Sequence, residues 1–243
     1  PLSFSASPFF EFTREFMHFE SEAWSLRWYK QMVGISSIGD TTVVSNKWML
    51  GTRNSFIIGI IATLLATALG TVAALGLSRP HMPFKPVLMA ILISPMIVPL
   101  IITAAGMFFF YSKVGLTHTY LGLILAHTAL GTPFVVITVT ATLTGFDTNL
   151  IRASQSLGAD TMKTFFKIIM PLILPGVISG GLFAFITSFD EVVIVMFVGS
   201  VEQITIPKQM WAGLRQETSP VILCMATCLV ALSIALLTTV EML

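Results

Sequence analysis

The chain has 243 residues, of which 55% are hydrophobic and only 10% charged, with a formal net charge of +1. A soluble domain carries roughly 25% charged residues, so this chain lacks the polar side chains to cover a water-facing surface and is expected to be an integral membrane protein. The near-neutral balance also argues against a nucleic-acid-binding surface.

Residues 1–53 differ from the rest of the chain. They are rich in Phe, Trp, Ser and charge, with Glu11, Arg14, Glu15, Glu20, Glu22, Arg27 and Lys30. They read as an extracytoplasmic or interfacial segment with one or two short helices. Trp24, Trp28, Tyr29 and Trp48 suit a membrane interface, where an apolar ring meets water at one edge. Residues 54–243 are expected to form the membrane domain. Five apolar runs reach the ~20 residues that a crossing needs: 54–78, 86–111, 119–143, 169–189 (with a continuation to 198) and 220–240. All five read as helices, because an open sheet edge finds no hydrogen-bond partner in lipid. They are too long and too uniformly apolar for the alternating strands of a barrel. The expected fold class is therefore all-α, a polytopic helical membrane protein.

Glycine and proline punctuate these runs: Gly59, Gly70 and Gly76 in the first, Pro95 and Pro99 in the second, Gly131 and Pro133 in the third, and Pro175, Gly176, Gly180 and Gly181 in the fourth. Small residues let helices approach closely, and prolines bend helices and free backbone carbonyls. Both suit a structural bundle as well as a transport pathway. Cys224 and Cys228 stand four apart in the last run, on one helix face, and read as small apolar residues rather than metal ligands. No internal repeat is evident, which weighs against an inverted-repeat secondary transporter. The chain starts at Pro1 and stops at Glu241, Met242 and Leu243, beside an apolar run. The expectation is a native protein longer at each end, and no signal peptide is read here.

Orientation is set by the lysines and arginines of short loops. Arg79, Lys85, Arg152, Lys163 and Lys167 fall on one side, and Lys113, Lys208 and Arg215 on the other. The richer side is assigned to the cytoplasm, which leaves the N-terminal segment outside.

The segment 152–175, RASQSLGADTMKTFFKIIMPLILP, is polar and partly charged between apolar runs. It reads as a helix, a break at Gly158, a second amphipathic helix, and a proline-marked return to the membrane at Pro171 and Pro175. A chain otherwise built for lipid has no reason of its own to keep such a segment; a protein partner on that side would supply one. Gly158, nine intervening residues and then Ile168, Met170 and Pro171 resemble the EAA loop of ABC importer permeases. In that family the pattern is roughly E-A-A, three residues, G, nine residues, I, one residue, L-P. Ala153, Gly158, Ile168 and Pro171 match, and Leu157, Ala159 and Phe165 also look like the family. Arg152, Ser154 and Met170 depart from it, the first with a reversed charge.

The resemblance extends along the chain in order. Ser3-Phe4-Ser5, Ser25 to Tyr29, Asn54-Ser55, Leu143 to Asp147 and the run Ser188-Phe189-Asp190-Glu191-Val192-Val193 all resemble spermidine/putrescine-type permeases. The resemblance implies a type I ABC importer permease bundle of six helices in the bacterial inner membrane, of which this chain holds the last five. It implies a coupling loop at 144–171 that contacts an ATPase through Arg152, Ala153, Ser154, Leu157, Gly158, Ala159, Phe165, Ile168 and Pro171. It implies a second permease subunit, two ATP-binding subunits and a periplasmic substrate-binding protein as partners, with ATP and Mg²⁺ held by the ATPase.

The chain itself has no G-x-x-x-x-G-K-[ST] phosphate loop, so no ATPase activity, catalytic residue, metal site or cofactor of its own is expected. For the substrate pathway, the resemblance and the polarity point to Ser188, Asp190 and Glu191. A carboxylate inside a membrane is costly and usually faces a water-filled cavity or a partner. One reading is attraction of a cationic substrate such as a polyamine; the other is a helix-terminal pair facing water or a basic partner. Adjacent helical residues point about 100° apart, so at most one should face the pathway. His127 reads as packed or hydrogen-bonded rather than as a proton relay. An ion-coupled secondary transporter, a non-transporting membrane scaffold, and an importer for amino-acid or opine-like cations are the competing readings.

Overall fold

The computed structural model describes residues 27–33, 47–79, 81–145, 147, 149–216 and 221–241. Most of the expected N-terminal interfacial segment lies outside them. Every regular element among the described residues is a helix, in the order α1 (Arg27–Met32), α2 (Lys47–Leu77), α3 (Lys85–Ile97), α4 (Leu100–Val114), α5 (Tyr120–Thr144), α6 (Asn149–Ser156), α7 (Thr161–Asp190), α8 (Val193–Val198), α9 (Ile206–Gln216) and α10 (Val221–Glu241). They fall into two compact units, one of residues 47–216 and one of 1–46 with 217–243. In the second unit α1 packs on α10.

Three helices of the larger unit, α2, α5 and α7, are long and apolar enough to cross a membrane. They are apolar nearly all round, so no amphipathic stripe says which face goes in. Their packing is set instead by small residues four apart. On α2 these are Ala62, Ala66, Gly70 and Ala74; on α7 they are Gly176, Gly180 and Ala184; all are buried. A Cβ on Gly70 would stand 2.6 Å from the Val135 Cβ, and one on Gly131 of α5 would stand 2.9 Å from the Ala184 Cβ and 3.3 Å from that of Ala66. The three backbones are thus in close approach, and close approach is what drives helix association where lipid offers no hydrophobic gain.

Two apolar clusters line this bundle. Near one end Ala66, Ala74, Val135, Val139, Ile173, Val177 and Ala184 meet. Near the other, Ile58, Ala104, Tyr111, Leu123 and Leu130 join Ile194, Val195 and Val198 of α8.

The second expected span, 86–111, is not one straight helix. It is α3 and α4, bent by 102° at a short break. Val98 is extended (φ −70°, ψ 134°) and Pro99 comes next, at the start of α4. A residue before proline is pushed out of the helical region, and proline has no N–H to continue the ladder. Pro95 and Pro133, by contrast, sit inside unbroken helices. Asn54 of α2 hydrogen-bonds Tyr120 at the start of α5, and Gly70 meets Val135 further along both, so α2 and α5 run parallel. The bent pair therefore carries the chain from the end of α2 back to the start of α5. It is a broken span and not a re-entrant loop.

Three boundaries also differ from those expected. α2 begins at Lys47, before the apolar run, because Trp48, Gly51, Asn54 and Ser55 form a buried face there. The helix after the elbow starts at Thr161 and passes straight into the membrane helix. Pro171 does not interrupt it because one π-turn, Phe165–Ile169, precedes the proline and lets the Met170 N–H reach the Phe165 carbonyl. The run to residue 198 is cut at Glu191, whose backbone turns extended (φ −73°, ψ 125°) and ends α7.

Candidate functional site

At one end of the bundle, α6 and the first turns of α7 form an elbow. Asp147 starts α6 by accepting the Asn149 N–H at 2.9 Å. The helix closes on Gly158 (φ +80°), with the Gly158 N–H on the Gln155 carbonyl and the Ala159 N–H on the Ser154 carbonyl, both at 3.0 Å. These two bonds make a Schellman stop, which needs a left-handed residue and favours glycine. A Cβ at Gly158 would meet nothing within 4 Å, so the backbone angle, and not space, asks for glycine. Asp160 then caps α7, accepting the Lys163 N–H at 2.8 Å.

Ser154 and Thr164 join the two arms through their hydroxyls, 2.7 Å apart and both buried. Ser154 stands where the resembling family has alanine, and the hydroxyl gives this chain an extra tie across the elbow. On the outer side Arg152, Ala153, Leu157, Gly158, Lys163, Phe166 and Lys167 are exposed, and Leu157 is 88% exposed. Ala159, Phe165 and Ile168 are half-buried, while Pro171 is exposed on α7. Phe165 and Phe166 sit edge to face at 5.0 Å, with Phe165 on the inner side of the elbow and Phe166 facing out.

At the opposite end of α7, the three polar residues read from the sequence have separate surroundings. Ser188 is buried and shares a hydrogen bond of 2.8 Å with His127 Nδ1 of α5, tying the two helices together. Glu191 is buried, and its carboxylate accepts the Ile194 N–H at 2.7 Å, at the start of α8. Asp190 is exposed at the last turn of α7. Only Asp190 is therefore open to a mobile cation, and the negative end of the helix dipole adds to its field.

Sequence reasoning missed a clamp around α8. Asn54, fully buried, donates from Nδ2 to the carbonyls of Glu202 and Ile204, both at 2.9 Å, and accepts the Tyr120 hydroxyl at 3.0 Å. The neighbouring Ser55 accepts the Ile206 N–H at 2.9 Å. Lys208 reaches back from α9 to donate to the carbonyls of Val195 and Ser200, both at 3.2 Å. Burial pulls the Lys208 ammonium below the usual lysine range. The short helix α8 thus carries a carboxylate at its N-terminus and an ammonium at its C-terminus, each matching its dipole. The sequence signal was Asn54-Ser55 inside an apolar helix, but nothing in the spacing pointed to a partner loop some 150 residues away.

The larger unit is thus a helical bundle whose polar elbow continues directly into a span. Residues 66–243 match the model of the binding-protein-dependent transport system inner membrane component family. The chain belongs to that family, and is accordingly a multi-pass protein of the inner membrane. It is similar to the spermidine/putrescine transport system permease protein PotC of Haemophilus influenzae, 29% identical over 88% of this chain and 80% of that one. It is also similar to the putrescine transport system permease protein PotI of Escherichia coli K12, 30% identical over 84% of this chain and 72% of that one. Among solved structures, the MetNI methionine ABC transporter in an inward-facing crystal form shares the fold. Its TM-score is 0.63 at 20% identity, over 79% of this chain and 91% of the other. A bacterial ABC transporter involved in import of the acidic polysaccharide alginate shares it too, with a TM-score of 0.54 at 14% identity over 88% and 82%.

Proposed function

We propose that this chain is the permease subunit of an ATP-driven importer for polyamine-type cations, putrescine or spermidine among them. The names of its relatives support the substrate class, and the exposed Asp190 supplies a carboxylate for an ammonium group. ATP and Mg²⁺ belong to two partner ATP-binding subunits, so the chain is not itself an enzyme and needs no cofactor or metal of its own. A second permease subunit completes the pathway, and a periplasmic binding protein delivers the substrate. The surrounding lipid completes the partner set, with no nucleic acid.

One observation carries the coupling role. The second arm of the elbow and the span are a single helix, α7, of 30 residues. At 1.5 Å per residue it is a rod of about 45 Å with the elbow at one end and Asp190 at the other. Force applied at Gly158 and Ala159 reaches Asp190 without crossing a flexible joint. The exposed Leu157 and Phe166, flanked by Arg152, Lys163 and Lys167, give an ATPase cleft an apolar anchor with a basic rim. Residues 144–171 are the coupling segment on this reading, with Ser154, Phe165, Ile168 and Pro171 holding its shape.

Leu157→Asp tests the coupling directly. It places a charge on the anchor without touching the Gly158 stop. The expected result is loss of co-purifying ATP-binding subunits and a fall in uptake of about tenfold or more, the ratio that ~1.4 kcal/mol gives. An assembled, fully active L157D transporter overturns the role of the elbow. Uptake that persists with no ATP-binding subunit present favours an ion-coupled carrier.

A further inference from the structure

Beneath the elbow lies a cavity of about 460 Å³ that the coupling role leaves unexplained. Leu75, Leu143, Phe165 and Ile169 form apolar walls, and Arg79 is the single ionisable residue in its lining. No acidic side chain lines it. The volume falls in the range of roughly 300–1,000 Å³ typical of small-ligand sites. Arg79 is exposed, and among the described residues its guanidinium has no hydrogen bond or ion pair, whereas the buried hydroxyl of Thr164 is already committed to Ser154.

The position narrows the ligand. Arg79 stands two residues beyond the end of α2 at Leu77, and Leu143 lies in the last turn of α5 on the same side. Beyond the end of a membrane span, hydrocarbon gives way to headgroups. Lys85, Lys163 and Lys167 belong to the same end of the bundle. A basic pocket between spans at the cytoplasmic face is the arrangement that takes anionic lipid headgroups.

We propose that this cavity binds an anionic phospholipid, its phosphate on Arg79 and the upper part of one acyl chain against Leu75, Leu143 and Ile169. The occupant touches Phe165 and Ile169, which bound the π-turn, and Thr164, which ties α6 to α7. A bound lipid therefore braces α6 against the first turns of α7, and transport becomes sensitive to the anionic lipid content of the membrane. The coupling reading enters only in naming the leaflet: if the elbow is cytoplasmic, the inner leaflet supplies the lipid.

The test uses the assembled transporter in nanodiscs of phosphatidylcholine with or without phosphatidylglycerol, with native mass spectrometry as the readout. The wild type should retain phosphatidylglycerol selectively. Arg79→Gln should weaken retention about fivefold, the ratio that ~1 kcal/mol per cation near the headgroups gives, and Arg79→Lys should recover most of it. Leu143→Trp, which fills the cavity with Arg79 intact, should also lose the lipid.

Equal retention by wild type and R79Q overturns the proposal. So does displacement of the lipid by inorganic phosphate, which would make the site one for a soluble anion. Cross-linking of a photoreactive residue at Leu75 to an ATP-binding subunit instead of lipid overturns it as well. Co-purification of ATP-binding subunits is scored in the same samples. Its loss in the wild type would count against the coupling reading and leave the lipid site standing.

Discussion

Asp190 and Glu191 are adjacent in the chain but sit in opposite surroundings. Glu191 is buried and spends its carboxylate on the first turn of α8, while Asp190 ends α7 in the open. Their variants should separate. Asp190→Asn is expected to raise the KM for a cationic substrate severalfold, with assembly and melting temperature unchanged. Glu191→Ala removes a helix-capping acceptor, worth typically ~1 kcal/mol, and should lower the melting temperature with KM little moved. Uptake kinetics in proteoliposomes together with thermal melts decide the matter; the reverse pattern would place Glu191, not Asp190, on the pathway. The 100° argument from sequence already said that one of the two at most faces a pathway. It could not say which, because the choice is made by a hydrogen bond to Ile194, three residues further along a turn that only the folded backbone shows. His127 was legible as a hydrogen-bonding residue of the span, and its partner is Ser188.

At the scale of helices, glycines that look alike in sequence do different things. A Cβ on Gly131 would press on Ala184 and Ala66, whereas one on Gly76 would meet nothing within 4 Å. Gly131→Val is therefore expected to destabilise the solubilised protein by about 1–3 kcal/mol through overpacking. Gly76→Ala should stabilise it by up to ~1 kcal/mol through helix propensity. Denaturation monitored by circular dichroism distinguishes them, and a harmless G131V would show that α5 and α7 are not in close contact. The positions of the spans were readable because twenty apolar residues in a row have few other fates. Prolines were harder. Pro95, Pro99 and Pro133 carried the same expectation of a bend, yet only Pro99 ends a helix, since only there does the preceding residue turn extended. The elbow was the most legible part of the site, because glycine at φ +80° and aspartate as a cap are local choices written in neighbouring residues. The clamp by Asn54 was illegible for the converse reason.

The larger unit as a whole crosses between its two ends by unequal means. α2 has 31 residues and spans about 46 Å, well beyond a hydrocarbon core of ~30 Å, so tilt can absorb a change in membrane depth. The bent pair has no such reserve. Its arms of 13 and 15 residues measure about 20 and 22 Å, and at 102° they reach about 26 Å end to end. Arg79, Lys85 and the elbow cations sit at one end of this unit, and Lys47, Arg53, Lys113 and Lys208 at the other. A thicker bilayer would therefore pull on the crook at Val98 and Pro99 before it troubled any other crossing. Uptake by vesicles of graded acyl length should peak in thin bilayers and decline as chains lengthen, while Pro99→Ala, which lets the two arms straighten, should move the optimum toward longer chains. A flat profile for both proteins would show that the crook does not gauge depth. On this account the stretch of chain with the poorest reach, and not the machinery at either face, decides which membranes the transporter can work in.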